Sequence, residues 1–217
     1  MGLPAALSAM TFITSSITNA QVGTGAGTIT APSGIQAGDL LVLLNSHAAT
    51  GTTTAVAPSG WTLAVSQAAT NVSMAISYKI AAGTESGTTV SGMNGGTAVK
   101  NLVMLVFRGS KAVSTVTVGS THTQEVDTDP TAQVCAASGG VAPLIVLGAY
   151  SNAASGTDIN PRTFTVGGVA AKDGEINSNT DNYLAYKIFN SAPADCTIDM
   201  QDHGTQNFLQ SCYLQLT

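Results

Sequence analysis

The sequence predicts an all-β chain: a β-sandwich, jelly-roll-like, built from two tandem pseudo-repeats. Three observations predict it. First, the second half repeats the first. "LLVLLNSHAATG" from Leu40 returns as "LIVLGAYSNAASG" from Leu144, an offset of 104; "AISYKI" ending at Ile80 returns as "YLAYKI" ending at Ile188, an offset of 108; "GGTAVKNLVMLVF" (Gly95 to Phe107) returns as "HGTQNFLQSCYLQ" (His203 to Gln215), also 108. Second, the composition is that of strands and turns. Only 9% of residues are charged, against about 25% in ordinary soluble proteins; Glu, Lys and Arg are scarce and Thr, Val and Ile common. Third, short apolar or alternating runs recur between Gly, Ser and Asn clusters, and no stretch has a helical period.

The elements follow in order. Residues 1–27 form an N-terminal arm or strand. Its segment Met1 to Gln21 has the apolar look of a signal peptide but no basic n-region, so it is expected to belong to the mature protein. Its alternation around Phe12 and Ile13 reads as extended chain. Residues 28–217 form a single β-sandwich domain: copy one 28–110, a connector 111–132, and copy two 133–217. Copy one holds strand candidates at Thr28–Ala31, Leu40–His47, Trp61–Gln67, Ser73–Ala81, Thr88–Met93 and Thr97–Phe107. The connector holds Val113–Val118. Copy two holds Gln133–Ala137, Leu144–Tyr150, Arg162–Val166, Tyr183–Asn190, Cys196–Met200 and Thr205–Leu216. Leu40–Leu44 and Leu102–Phe107 are apolar at every position and read as central strands buried on both faces. Asn94-Gly95 supplies the positive φ angles of a tight hairpin, and Gly96 and Gly204 recur at matching places. Each copy has too few strands to close a core, so the two share one.

Charge excludes some functions. The net charge is −5 with 7 basic residues, the first of them Lys79. No basic stripe exists to neutralise phosphates, so no nucleic acid is expected. No apolar run reaches the roughly 18 residues that span a bilayer, so no membrane is expected. Cys135, Cys196 and Cys212 have no metal spacing. Cys212, set opposite Met104 by the repeat, reads as a small buried hydrophobe, and a disulfide between two of the three stays open.

Catalytic patterns are missing. Glu85, Glu125 and Glu175 are the only glutamates, each in a predicted loop, with no paired spacing for acid–base work. Glu125, Asp127 and Asp129 lack the Gly and terminal Glu of an EF-hand and read as a solvated acidic turn. His47, His122 and His203 share no ligand spacing, and there is no Gly-x-Ser-x-Gly elbow. Asp39 after Gly38 reads as turn chemistry. Trp61, the single Trp, reads as a core anchor at the start of a strand, with a ligand-facing, sugar-stacking role as the alternative. The chain is expected to be no enzyme and to need no cofactor or metal.

Four segments occur in one order: "PSGIQAGDLLVLL" (Pro32 to Leu44), "PSGWTLA" (Pro58 to Ala64), "YKIAAGTESGTTVSG" (Tyr78 to Gly92) and "VMLVFRGS" (Val103 to Ser110). Together they resemble a β-rich domain of tailed-bacteriophage virion structural proteins, of the capsid decoration, head-fibre or tail-fibre type. The resemblance covers Thr28 to Ser110 well and the second copy weakly, and it transfers no catalytic residue. It implies a virion location, with the major capsid protein or another virion protein as partner. The alternative it leaves is a tail-fibre or tail-tip receptor-binding module with a host surface glycan as ligand. The absence of heptads and of a Gly-X-Y period favours a compact decoration or cement protein. Met1 to Thr30 carries no charge yet holds Leu3, Leu7, Met10, Phe12, Ile13 and Ile17. Such a segment is expected to be buried, either against its own sandwich or against a partner subunit; the partner is favoured, in a homo-oligomer expected to be a trimer on a particle surface.

Overall fold

The structure is a computed structural model. It describes residues 9–21, 26–48, 55–68, 72–93, 99–109, 112–126, 132–152, 162–166, 169–170, 172–178, 182–200 and 205–217. In the first half the strands are β1 (Thr11–Gln21), β2 (Gly27–Thr30), β3 (Leu40–Ala48), β4 (Thr62–Ala68), β5 (Val72–Ile80), β6 (Thr89–Met93) and β7 (Val99–Arg108). In the second they are β8 (Val113–Val126), β9 (Gln133–Cys135), β10 (Leu144–Asn152), β11 (Arg162–Val166), β12 (Val169–Ala170), β13 (Gly174–Ser178), β14 (Asn182–Phe189), β15 (Cys196–Met200) and β16 (Thr205–Leu216). The chain is all-β, and every strand pairing described is antiparallel.

The strands make two five-stranded sheets, β1-β7-β3-β5-β4 and β13-β14-β10-β16-β8, a four-stranded sheet, β12-β11-β15-β9, and a two-stranded one, β2-β6. Three apolar layers join them. The central layer takes Leu40, Val42, Leu44, Leu105 and Phe107 from the first large sheet and Ile145, Leu147, Leu184, Cys212 and Leu214 from the second. On the outer face of the first, Leu41, Leu43, Met104 and Val106 meet Ile29 below β2-β6. On the outer face of the second, Leu144, Val146 and Tyr213 meet Cys135, Phe164 and Ile198 of the four-stranded sheet. The sandwich therefore has four layers, with both large sheets inside. A sheet in a two-layer sandwich buries one face and alternates apolar with polar residues. Here β3 and β7 are covered on both faces, which is why they are apolar at successive positions.

Each half places its strands in the same way. β7, β3, β5 and β4 follow β1 across the first large sheet as β16, β10, β14 and β13 follow β8 across the second, and β2-β6 takes the position of β9-β15. The connector 111–132 thus contains β8, an edge strand of the second large sheet, in the place β1 holds in the first. Within the N-terminal segment, Thr11–Gln21 is likewise a strand. β1 pairs with β7 from Thr11↔Arg108 to Gln21↔Lys100.

The residue-by-residue match keeps the offset of 108 from Ile80 to Ile188 and differs by one from the other two sequence offsets. Leu40 pairs with Ile80 and Phe107, and Ile145 pairs with Ile188 and Leu214. All six face the central layer, so Leu40 corresponds to Ile145, not to Leu144. By the same rule Leu105 corresponds to Cys212. Met104, which faces the outer layer, corresponds to Ser211, so the Met104–Cys212 match is corrected. Side chains alternate sides along a strand, and a slip of one exchanges the two faces.

Candidate functional site

The segments of greatest sequence character build joints at the loop ends of the first large sheet. Asp39 ends the loop before β3 and is almost completely buried. Arg108, the last residue of β7, grips it side-on: Nε donates to Oδ1 and Nη2 to Oδ2, both at 2.8 Å. The same Nη2 donates to Gly34 O at 3.0 Å, and Gln36 N donates to Asp39 Oδ2 at 2.8 Å. Gly34 (φ 84°) and Gly38 (φ 89°) supply the left-handed turns that fold the loop back on its own carboxylate. Burial alone would raise the Asp39 pKa, but the Arg108 hydrogen bonds and the Gln36 N–H hold it below the ordinary value.

Glu85 organises the loop between β5 and β6. Its carboxylate accepts from the backbone N–H of Ala82 (3.0 Å), Gly83 (2.9 Å) and Thr84 (3.0 Å), and Lys79 Nζ lies 3.0 Å from Oε1. Burial again opposes ionisation. The backbone donors and Lys79 overcome it and hold the pKa at about 2. A carboxylate so occupied and so acidic is unsuited to proton transfer near neutral pH. The second half changes the first of these joints and keeps the chemistry of the second. Gln215, the counterpart of Arg108, accepts Val141 N–H directly at 2.9 Å. Lys187, on the strand matching that of Lys79, pairs with Asp173 at 2.6 Å, and the same carboxylate accepts Ile188 N–H.

Trp61 stands just before β4, half-buried against the outer apolar layer of the first half. It walls an open cleft of about 290 Å³ with Pro58, Ser59, Lys79, Thr88 and Ser91. In the second half the strand that matches β6 is β15, and β11 pairs along its edge from Arg162↔Met200 to Val166↔Cys196. There Phe164 is buried, and a Cβ on Gly148 would lie 2.5 Å from Ile198 and 3.4 Å from the Phe164 ring. Leu43 occupies the corresponding place in β3, and among the described residues no strand pairs along the free edge of β6, where Pro58 and Ser59 line the cleft instead. The cleft therefore marks a difference between the halves. Glu85 lines it too and holds the Lys79 ammonium in an ion pair, so what the cleft offers a sugar is an aromatic face beside hydroxyl groups.

The other expected residues lie elsewhere. Met10 is in the central core. Its N–H donates to Asn190 Oδ1 at 2.7 Å and its carbonyl accepts from Asn190 Nδ2 at 3.2 Å. Phe12 stacks on Tyr186 at 5.3 Å and meets Phe107 edge-on at 5.9 Å. Ile13 packs on the outer layer, and Ile17 is exposed. Leu3 and Leu7 lie outside the described residues. So do the side chains of Glu125, Glu175 and the three histidines, and the whole of Asp127 and Asp129. Among the described residues no group of His, Cys, Asp and Glu could hold a metal ion. Sequence reading missed the Asp39–Arg108 joint. Its signal was a charged residue ending each of two apolar strands, in a chain with few charges. Compared with known proteins, the chain matches no family model, and no curated protein and no solved structure is significantly similar to it.

Proposed function

We propose that this chain is a structural protein of a tailed-phage virion, a capsid decoration, cement or head-fibre component that docks on the particle surface. One observation carries the reading. The segments that resemble such virion proteins are those that make the joints of the scaffold: Asp39 belongs to "PSGIQAGDLLVLL", Glu85 to "YKIAAGTESGTTVSG" and Arg108 to "VMLVFRGS". Their chemistry is spent on holding loops, as a rigid particle component requires, and not on a substrate. The matching strand order of the halves supports a tandem duplication in which two small sandwiches share one core. A second reading, a receptor-binding module at a tail tip, is favoured by the Trp61 cleft.

Immunogold labelling of intact particles tests both. Label at regular positions over the head is expected. Label confined to the tail tip replaces the first reading with the second, and particles without label exclude both. The purified protein is expected to hydrolyse neither polysaccharides nor esters.

A further inference from the structure

We propose that Cys135 and Cys196 are a disulfide-forming pair that fastens the edge strand β9 to β15. The two residues are directly opposed in the antiparallel register, Cys196↔Cys135. Both are fully buried in the same outer apolar layer, so both side chains leave the sheet on the same side. Cys212 faces the central layer, across the second large sheet, and is not placed to compete.

Cβ atoms of directly opposed residues lie about 4.5–5.5 Å apart, and a disulfide holds them at about 3.5–4.5 Å. Closing the bond thus asks for a small approach of one strand to the other. β9 can make it: it is three residues long and ends its sheet. On its other side it is held by the Ser120 hydroxyl, which accepts Val134 N–H at 2.7 Å and donates to Val134 O at 3.1 Å. The three cysteines are free thiols in the structure. Burial pushes the thiols of both Cys135 and Cys196 up to about 12, so the closed form reacts slowly. Reaction proceeds when β9 parts from β15 or before it pairs.

The oxidant is a low-molecular-weight disulfide such as oxidised glutathione. One cysteine, as thiolate, attacks a glutathione sulfur, forming a mixed disulfide and releasing one glutathione thiolate. The second cysteine thiolate attacks the protein sulfur of that mixed disulfide and releases the other glutathione. The two protein thiols lose two electrons to the oxidant, and their two protons end on the two glutathione thiols.

The test uses the intact chain, held native in oxidised glutathione and, in parallel, refolded from urea in it. Soluble protein is alkylated and peptide-mapped under non-reducing conditions. The expected result is a Cys135–Cys196 cross-linked peptide, Cys212 alkylated alone, and a melting midpoint roughly 5–10 °C above that of the reduced protein. A Cys212→Ala variant should give the same cross-link. Three alkylated cysteines under both conditions, a bond that includes Cys212, or a bond between chains would overturn the proposal.

Discussion

Replacing Glu85 by glutamine would remove the charge from a carboxylate addressed by three backbone N–H groups and by Lys79. The folded pKa is depressed from 4.5 to about 2. Its stabilisation is therefore present above the unfolded value and lost as pH falls through the folded one. We expect Glu85→Gln to be less stable than the parent by ~2 kcal/mol at neutral pH, with the difference vanishing near pH 2. Urea titrations of both proteins across that range, compared with each other, isolate this group from the remaining acids; a pH-independent difference would refute the assignment. Arg108→Leu is the companion case. It leaves Asp39 ionised and almost buried with Gln36 N–H as its remaining described partner. Its melting midpoint should fall, and Asp39→Asn added to it should restore part of the loss, because an uncompensated buried charge costs more than a neutral amide. At this scale the sequence shows what residues are but seldom whom they meet. Asp39 looked like turn chemistry, which it also is, but its partner lies 69 positions away, and no local pattern joins the two.

β1 is the element on which expectation and structure differ most usefully. Its apolar residues suggested burial against a partner subunit. The structure uses Met10 and Phe12 within the chain, the first in the central core and the second against Tyr186 of the opposite half. Gly109 (φ 119°) permits this docking, because a Cβ there would stand 2.6 Å from Ala9 O. Phe12→Ala should cost about 1–3 kcal/mol in urea unfolding, less than a fully buried Phe because its ring is partly exposed. Gly109→Val should open β1 to proteolysis without touching its sequence. Deleting residues 1–20 should destabilise the domain; a truncated chain of undiminished stability would return the segment to a docking role. The central strands were legible because burial on both faces demands apolar residues at successive positions. That same uniformity hid their register: a strand with no alternation carries no mark of which face is which, hence the one-residue slip between Leu40 and its true counterpart Ile145. β12 and β13 were invisible for the opposite reason. They are short edge strands, "VA" and "GEINS", with too little apolar content to stand out from loop.

At the scale of the molecule, the central layer joins the two halves through their best-packed sheets, and Phe12, Phe107 and Tyr186 close one side of that seam. Each large sheet would expose an apolar face without the other, so neither half is expected to hold its structure alone. Unfolding should then be one cooperative transition in spite of the repeated architecture. Leu147→Ala tests the coupling. Leu147 is fully buried in the central layer, on β10, the strand that meets β3 and β5 across it. The cavity should cost about 2–5 kcal/mol. If the layer binds the halves into one folding unit, hydrogen exchange will quicken equally in β3 and β10, although the substitution lies in one half, because the slowest amides of both open only by global unfolding. Faster exchange confined to β10, β14 and β16 would mean two independent sandwiches in contact, and the shared core would then be an interface between domains.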